Sequence, residues 1–396
     1  MFLPAGKQEA KPDVQELGSV ATPEIVPVRT RSDLREFINL PWKIYGDNPY
    51  WVPPLKKVIR HLLDVKRHPF WKFSQQALFL ARRGSETVGR IAGIIDRNFN
   101  RYHAVGAGAW GFFECVDDQE VASALFDSVE KWTCNHGMTE LRGPFNPSTN
   151  YEIGLLVEGF DQPPAIMMTY NPPYYQRLVE GAGFHKEKDL VSFVGFRDGY
   201  NPPDWMLRMV ERAMENGRIR IQQAQKKKRR EALALTRKLY DECWSKNWGY
   251  VPMTDEEFDL TGKNLERIGE WDMFFFVYWD DEPVAFALMV PDINPLLKRF
   301  NGKIGLLGWL KYLLYRKEVQ GVRGLLFGVK EQYRGRGVPF LALNHTIEIL
   351  RRRGFSRIEL GWNLEENEDI NQLEEHLGGR IAKRYRVNRQ WFADRW

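Results

Sequence analysis

The sequence predicts a mixed α/β protein built from two copies of one unit, and three observations support this prediction. Strand-like and helix-like patterns alternate along the chain, as they do where helices pack on a sheet. A set of turn and strand signals occurs twice in the same order. Each half also contains an apolar strand-like run that leads through a turn into a helical pattern. With 396 residues, the chain is long enough for two domains with ordinary cores.

Matched positions establish the repeat. Near the front of each half, Trp51-Val52-Pro53 corresponds to Tyr250-Val251-Pro252. A hairpin pattern follows in both, at 79–92 and 275–287, with apolar residues on either side of a polar turn. Four further pairs then keep one constant spacing: Gly111 with Gly328, Val121 with Val338, Gly137 with Gly354, and Asn146 with Asn363. Such an ordered run of matches indicates a tandem repeat rather than chance pairing.

The repeat sets the predicted domain boundaries. The predicted units are a disordered N-terminal tail at 1–24, a first copy at 25–198, a linker helix at 199–217 and a second copy at 218–396. The first copy has a long insertion, Pro147–Tyr170, whose apolar residues predict an ordered loop. This loop is expected either to cap the interface between the copies or to contribute to a substrate pocket.

Composition limits the classes of function. The net charge of +5 is mild and does not by itself indicate nucleic acid. The basic run at 226–230 lacks interleaved aromatic residues, which favours a solvated turn, so no nucleic-acid partner is expected. Cys115, Cys134 and Cys243 are too scattered for a zinc site or a disulfide framework, and no metal is expected. Because the sequence shows neither a signal peptide nor a long apolar span, it predicts a cytoplasmic protein.

The most informative stretch is Gln332–Gly337, which reads Gln-Tyr-Arg-Gly-Arg-Gly. It follows an apolar strand-like run at 325–329 and precedes a helical pattern from Val338 to Arg353. Two glycines spaced one apart allow a tight turn whose N–H groups face one point. The helix that follows directs the positive end of its dipole at the same point. The stretch therefore predicts an anion cradle suited to a diphosphate.

This cradle resembles motif A of the Gcn5-related N-acetyltransferases (GNAT), Gln/Arg-x-x-Gly-x-Gly/Ala, at Gln332, Gly335 and Gly337. The resemblance implies two tandem GNAT-like domains and acyl-CoA as co-substrate, carrying either an acetyl or a long-chain acyl group. The residues that it assigns to the cofactor are Val329, Gln332, Tyr333, Arg334, Gly335, Arg336, Gly337, Val338 and Asn363. The full chain resembles a bacterial tandem group, the YghO-like group, through the segments 50–54, 143–146 and 170–175.

The first copy carries a different turn at the corresponding positions. Residues 115–120 read Cys-Val-Asp-Asp-Gln-Glu, with no glycine and three carboxylates. Like charges in one small concavity repel by roughly several kcal/mol at short range. Side chains at the two glycine positions would also crowd a diphosphate. The sequence therefore predicts that coenzyme A binds only to the second copy.

Acyl transfer from a thioester to an amine requires a base, donors for the oxyanion and an acid for the leaving thiolate. The resemblance implies a Tyr as the acid on the late helix, but Glu374 and Val179 stand at that position in the two copies. Tyr385, Tyr174 and Tyr175 are substitute acids, and Glu331, Glu359 and Glu366 are candidate bases, each with a solvated structural role as the alternative. The predicted catalytic residues are Glu359, Glu366 and Tyr385.

A basic amphipathic segment at 303–317 lies just before the cradle strand. Its apolar residues share one helical face, which predicts either a helix on an anionic membrane surface or a helix that faces the core. The resemblance extends to bacterial sphingolipid N-acyltransferases. It implies N-acyl transfer to an amine, with a lipid-like sphingoid amine as one substrate class. The membrane alternative for the segment 303–317 predicts peripheral contact with the inner face of the membrane. The alternatives are a small-amine N-acetyltransferase and a non-catalytic acyl-CoA-binding regulator. The oligomeric state is left open.

Overall fold

The computed structural model describes residues 22–46, 48–200, 202–215, 217–306 and 308–392, with no side-chain description at Ala213 and Trp309. The strands are β1 (Glu24–Pro27), β2 (Ser74–Arg83), β3 (Glu86–Asp96), β4 (Ala107–Cys115), β5 (Glu140–Gly143), β6 (Phe145–Asn146), β7 (Glu152–Ile153), β8 (Leu155–Glu158), β9 (His185–Phe196), β10 (Ile219–Gln223), β11 (Phe274–Trp279), β12 (Glu282–Pro291), β13 (Gly321–Val329), β14 (Arg357–Leu364) and β15 (Arg380–Trp391). The helices are α1 (Arg31–Tyr45), α2 (Lys56–Leu62), α3 (Arg97–His103), α4 (Gln119–Cys134), α5 (Tyr175–Gly181), α6 (Asp204–Glu215), α7 (Arg229–Trp244), α8 (Asp255–Leu265), α9 (Asn294–Phe300), α10 (Gly308–Tyr315), α11 (Val338–Arg353) and α12 (Glu368–His376).

One mixed sheet runs through the whole fold. Thirteen strands of the described residues belong to it, in the order β1-β2-β3-β4-β5-β15-β9-β14-β13-β12-β11-β10, with β8 beside β15. The order is symmetric about the β15–β9 pair. In each half, three antiparallel pairs of strands are followed by one parallel pair. The parallel pair is β4 with β5 in the first copy and β13 with β14 in the second. The predicted mixed α/β sheet with two copies is confirmed.

The two copies exchange their last strands. β9 comes from the first copy but pairs with β14 of the second, with Phe193 opposite Leu360. β15 comes from the second copy but pairs with β5 of the first, with Arg389 opposite Arg142. β9 and β15 also pair with each other in antiparallel fashion. Each half of the sheet is therefore completed by a strand from the other half.

Helices cover both faces of the sheet, because alternate strand residues point to opposite sides. Ile91 packs in a core cluster with α4 and α5, whereas the next residue, Ala92, packs in a cluster with α1. In the second copy, Val277 packs with α11 and the preceding Phe276 packs with α7. Each copy thus has two apolar layers, one on either side of its strands.

The first-copy insertion is ordered and reaches the second copy. Part of it forms β8, which places Leu156 opposite Tyr385 of β15. Further along, the backbone N–H of Ile166 donates to the Asp292 carboxylate at 3.0 Å, and the Asn294 amide donates to the Pro164 carbonyl at 2.8 Å. The insertion therefore caps the junction between the copies.

The remaining predicted segments fall as follows. α6 lies inside the range 199–217 predicted for a linker helix. Glu24, counted in the predicted tail, belongs to β1, and the tail residues 1–21 lie outside the described residues. In the ranges that the structure describes, no helix has the length and apolarity needed to cross a membrane. No cluster of potential metal ligands is found in those same ranges.

Candidate functional site

The parallel strands of the second copy diverge part-way along their length. β13 and β14 pair from Gly321 opposite Arg357 to Gly324 opposite Leu360. Beyond that point β14 continues beside β9, while β13 continues beside β12. The divergence opens a gap along residues 325–329 that leads to the predicted cradle.

The cradle is an exposed turn at the end of β13. Residues Glu331–Arg336 form a 3₁₀ turn, and Gly337, with a φ of 81°, connects it to α11. A Cβ atom at Gly335 would meet no atom within 4 Å, so the space directly beside it is open. Gln332, Arg334 and Arg336 are exposed. At the start of α11 no side chain of the described residues caps the helix, so its terminal donors face the turn.

Two arginines and a tyrosine give the turn its charge and shape. The Arg336 guanidinium lies 5.4 Å from the Tyr333 ring and 5.5 Å from the Trp279 ring, while Arg334 Nε donates to the Val329 carbonyl at 3.3 Å. The Tyr333 hydroxyl donates to Glu282 at 2.9 Å and so fixes the turn to β12. Neither arginine forms an ion pair within the described residues. The exposed cationic turn therefore fits a diphosphate.

The corresponding turn of the first copy is closed by its own side chains. Asp118 caps α4, since its Oδ1 accepts from the N–H groups of Glu120 at 2.9 Å and Val121 at 3.2 Å. Arg83 forms an ion pair with the same carboxylate at 2.9 Å. The Gln119 amide donates to the Leu178 carbonyl of α5 at 3.0 Å. The helix N-terminus that would face an anion thus already has an internal carboxylate.

The predicted bases are all held by cations. Glu359 is buried, and its two oxygens accept from Arg357 at 2.7 Å and from Ser192 of β9 at 3.1 Å. Glu366 is exposed and forms an ion pair with Lys188. The solvated alternative therefore describes Glu366 but is wrong for Glu359, which burial and the exchanged strand β9 enclose. Glu331 is exposed and pairs with Lys246 at 2.8 Å.

The candidate tyrosines lie in two different places. The Tyr174 hydroxyl donates to the Cys115 carbonyl and the Tyr175 hydroxyl to Glu114, both at 2.8 Å, within the first copy. Neither therefore leans over the second-copy cradle. Tyr385 is fully buried at the junction of the copies, with its ring 5.9 Å from that of Trp362. Its hydroxyl has no partner among the described residues, and burial raises its pKa well above the ordinary value.

Glu374 is a buried carboxyl group at the position where the sequence comparison expected a Tyr. It lies on α12 and accepts a hydrogen bond of 2.9 Å from the Asn363 amide. Burial raises the pKa of Glu374 to about 8, against the effect of this hydrogen bond. Asn363 also donates to Asn371 at 3.1 Å, so its side chain connects β14 with α12. Its counterpart Asn146 accepts a hydrogen bond from the backbone N–H of Phe112 at 2.7 Å and donates to Glu152 at 3.5 Å.

Glu374 lines a mostly apolar cleft. The cleft lies between α11 and α12, over β14 and β9, and is open to solvent at its mouth. Its apolar walls come mainly from Phe193, Leu343, Ile347, Ile358 and Leu360. A sequence signal for Glu374 did exist, because it stands on the late helix where the GNAT resemblance implies a catalytic Tyr. Its burial, however, could not be foreseen from that position.

Comparison with known proteins agrees with this geometry. The model of the acetyltransferase (GNAT) family matches residues 233–378. The bacterial ceramide synthase of Caulobacter vibrioides (strain NA1000 / CB15N) is 34% identical over 372 residues, which covers 92% of this chain and 96% of that protein. The chain belongs to the acetyltransferase (GNAT) family. Protein YghO of Escherichia coli (strain K12) is 33% identical over 369 residues, covering 90% of this chain and 92% of YghO.

Solved GNAT structures share the fold. A tandem GNAT protein from the clavulanic acid biosynthesis pathway superposes with a TM-score of 0.52 at 10% identity and covers 93% of this chain and 98% of that chain. A GNAT protein from Sphaerobacter thermophilus gives a TM-score of 0.52 at 13% identity and covers 93% and 95%. The predicted tandem GNAT fold is confirmed. As a GNAT protein, this chain is an N-acyltransferase that uses acyl-CoA as co-substrate.

Proposed function

We propose that this GNAT protein transfers a long-chain acyl group from coenzyme A to a lipid-like amine of the sphingoid class. The observation that carries the proposal is the 34% identity, over 92% of the chain, to a protein named bacterial ceramide synthase. Two structural features support it. One is the apolar cleft beside Glu374, and the other is an exposed apolar surface on the amphipathic segment 303–317.

The cradle of the second copy is the proposed coenzyme A site. Gln332, Arg334, Gly335, Arg336 and Gly337 would hold the diphosphate, with Tyr333 anchoring the turn. Val329 and Val338 would bound the site at the ends of β13 and α11, and Asn363 would face it from β14. When bound, coenzyme A supplies the acyl group as a thioester. The closed turn at Asp118 makes the first copy unsuited to the same role.

Glu374 is the proposed proton donor to the leaving thiolate. A carboxyl group with a pKa near 8 is protonated at neutral pH and can donate a proton. Its hydrogen bond from Asn363 fixes its position at the wall of the cleft. Of the catalytic residues predicted from the sequence, Tyr385 keeps an unpartnered hydroxyl within the described chain, whereas Glu359 and Glu366 are engaged by cations. Tyr385 remains a candidate for contact with the substrate.

The amphipathic segment at 303–317 is the proposed membrane contact of a peripheral cytoplasmic protein. The alternative of a core-facing helix is wrong, because Leu306 is 99% and Leu314 64% exposed, and Leu310 and Leu313 are exposed as well. Exposed lysines and arginines surround these side chains: Lys303, Lys311, Arg316 and Lys317. Apolar side chains next to basic ones match the interface of an anionic bilayer.

The first copy extends the same surface. The backbone N–H of Lys56, at the start of α2, donates to the Gly302 carbonyl at 3.0 Å, so α2 adjoins the segment 303–317. α2 adds exposed Lys57 and Arg60 together with Val58, which is also exposed. A long-chain acyl thioester and a sphingoid amine both partition into membranes, and an enzyme that joins them benefits from contact with that surface.

Thiol release from acyl-CoA tests the proposed function. The full chain is supplied with acetyl-CoA or palmitoyl-CoA and with sphinganine or a small primary amine, in the presence of phospholipid vesicles. We expect thiol release with palmitoyl-CoA and sphinganine, together with N-acyl sphinganine detected by mass spectrometry. Turnover restricted to acetyl-CoA and the small amine would instead support the small-amine N-acetyltransferase. Binding of acyl-CoA without turnover of any amine would support a regulatory protein.

A further inference from the structure

Buried hydrogen-bond donors without partners collect where β13 and β14 diverge. Arg323 is 2% exposed, and Lys383 and Tyr385 are 0% exposed. Arg323 Nε, Lys383 Nζ, the Tyr385 hydroxyl and Trp362 Nε1 have no hydrogen-bond partner within the described part of the chain. Buried polar groups are nearly always paired, because an unpaired one loses its hydrogen bonds to water and gains none in the fold. Four unpaired donors close together indicate a binding site in which a ligand supplies the missing hydrogen-bond acceptors.

The four groups come from three strands but lie around one point. The Arg323 guanidinium of β13 lies 4.7 Å from the ring centroid of Trp362 on β14. That ring in turn lies 5.9 Å from the ring of Tyr385 on β15. Lys383 and Tyr385 pair with Ser192 and Leu190 of β9 in regular alternation, so their side chains leave β15 on the same face. We name Arg323, Trp362, Lys383 and Tyr385 the donor cluster.

The first-copy insertion covers the donor cluster. A Cβ atom at Gly154 would lie 2.9 Å from Cβ of Tyr385, and one at Gly159 would lie 2.8 Å from Cγ of Lys383. Arg323 Nη1 donates to the carbonyls of Ile166 and Met167, each at 2.7 Å. Met167 is 38% exposed and marks the outer side of this cover. The cluster therefore lies one layer below the surface, under backbone of the first copy.

The cluster lies in line with the proposed coenzyme A site. The last paired residues of β13 and β14 are Gly324 and Leu360, directly beside Arg323. Val329 at the cradle lies five residue steps along β13 from Gly324, a distance of about 17 Å at roughly 3.3 Å per residue. An extended cofactor arm that follows the gap from the cradle thus points toward the donor cluster.

The charges around the cluster select the class of ligand. Arg323 interacts electrostatically with Glu359, and also with Glu152 and Asp292, whose pKa values burial raises, so acidic groups already surround its positive charge. An added anion would be repelled by those of the three acids that are ionised. Burial lowers the pKa of Lys383, which further weakens any attraction for an anion. Guanidinium, ammonium and indole groups only donate hydrogen bonds, so they need oxygen acceptors. Neutral hydroxyl or carbonyl oxygens accept hydrogen bonds from these groups and carry no negative charge that the acidic groups would repel.

We propose that the donor cluster binds the hydroxyl oxygens of the acceptor amine's head group, an inference that rests on the proposed function and specifies how its substrate is recognised. The first copy then has a direct role in recognition, because its insertion encloses the cluster. The expected preference is for an amine that carries neighbouring hydroxyl groups over the same amine without them.

A head-group probe tests this without acyl transfer. Binding of 2-amino-1,3-propanediol to the full chain in the presence of coenzyme A is measured by calorimetry, with 2-aminopropane as the probe lacking hydroxyls. We expect the diol to bind more tightly. Tyr385→Phe and Trp362→Phe each remove one donor and are expected to weaken diol binding about five- to tenfold. Equal affinities for the two probes, or unchanged diol affinity in both variants, would overturn the proposal.

A matched variant separates recognition from folding. Tyr175→Phe also removes a buried hydroxyl, but one that bonds Glu114 in the first copy, so it should leave diol affinity unchanged. Transfer assays then distinguish the two proposals. If the diol binds as expected but no sphingoid amine is acylated, the proposed function fails and the donor cluster stands. If sphinganine and its 1-deoxy analogue are acylated with equal kcat/KM, the donor cluster fails and the proposed function stands.

Discussion

The side-chain amide of Asn363 donates a hydrogen bond of 2.9 Å to Glu374, a carboxyl group that is only 5% exposed. The bond joins the diverging strand β14 to helix α12 across the wall of the apolar cleft. Burial outweighs the bond and raises the pKa of Glu374 to about 8. The protonation state of this one group therefore changes within the pH range in which enzymes are usually assayed.

Glu374→Gln is expected to change how stability depends on pH. The pKa of Glu374 is raised from 4.5 to about 8 in the folded state, so folding retains a proton that the unfolded chain releases. The protonated Glu374 contributes its full share to the free energy of unfolding below pH 4.5. This share is lost as the pH rises to about 8, by up to about 1.4 kcal/mol per pH unit. Urea denaturation at pH 5 to 8 should show the variant gaining stability relative to wild type as the pH rises. If the stability of wild type and of the variant changed with pH in the same way, Glu374 would not have the raised pKa of a buried acid.

The same substitution is expected to slow acyl transfer. Gln keeps the shape of the side chain and its contact with Asn363 but cannot donate an acidic proton. Loss of a positioned general acid lowers kcat by about 10²- to 10⁴-fold. Affinity for palmitoyl-CoA, measured by calorimetry, should stay within about twofold of wild type. A wild-type rate that holds constant above pH 9 would argue against Glu374 as the proton donor.

Two substitutions at Gly335 are expected to differ in coenzyme A binding. Gly335→Ala places a methyl group in open space at an ordinary φ and should bind palmitoyl-CoA nearly as wild type does. Gly335→Glu has a Cβ atom in the same open space but places a carboxylate beside the diphosphate, so affinity should fall at least about 100-fold. Equilibrium binding checks affinity, and thermal denaturation checks that both variants fold. Equal palmitoyl-CoA affinity of both variants would show that the cofactor does not bind at this turn.

Asp118→Ala is expected to destabilise the first copy without altering the cofactor site. The substitution removes the N-cap of α4 and the ion pair with Arg83. Loss of an N-cap costs about 1 kcal/mol. Chemical denaturation should show this loss, while palmitoyl-CoA affinity and stoichiometry stay unchanged. A second bound equivalent of coenzyme A in the variant would show that the carboxylate alone had closed the first-copy turn.

Serine substitution of Leu306 and Leu314 is expected to weaken binding to anionic vesicles. Both side chains are exposed, so the free energy of unfolding should change by less than about 0.5 kcal/mol. Co-sedimentation with vesicles containing phosphatidylglycerol should decrease at least several-fold. Leu207→Ser, at another exposed leucine on α6, is the matched control and should sediment as wild type does. Unchanged sedimentation of the double variant would place the membrane contact elsewhere or exclude it.

The parts of the fold that sequence could predict are those set by local pattern. The cradle at Gln332–Gly337 depends on two glycines and on a strand and helix directly beside them, and all of these lie within one short stretch. The repeat could be aligned because each copy keeps the same order of strands and helices. The exchange of β9 and β15 could not be predicted, because pairing between distant strands leaves no local signal.

The parts of the site that sequence missed are those defined by burial. Glu359 alternates with apolar residues on β14, a pattern that fits a solvated face as well as an interior enclosed by β9. The donor cluster draws on three strands separated in sequence, so no spacing brings Arg323 near Lys383. The segment at 303–317 has the periodicity of any amphipathic helix. Only the fold shows that Leu306 and Leu314 face solvent rather than a core.

The exchanged strands also give the first half a structural role that does not depend on its turn at 115–120, which contains no glycine. If the first half were deleted, β14 would lose its neighbour β9, and an unpaired strand edge promotes aggregation. β15 would likewise lose β5 and β8. Natural selection can therefore relax the chemistry of the first half while it still retains its backbone. Sequence changes in the first half that spare β5, β8 and β9 therefore leave the sheet of the second half complete, whatever happens to the turn at 115–120.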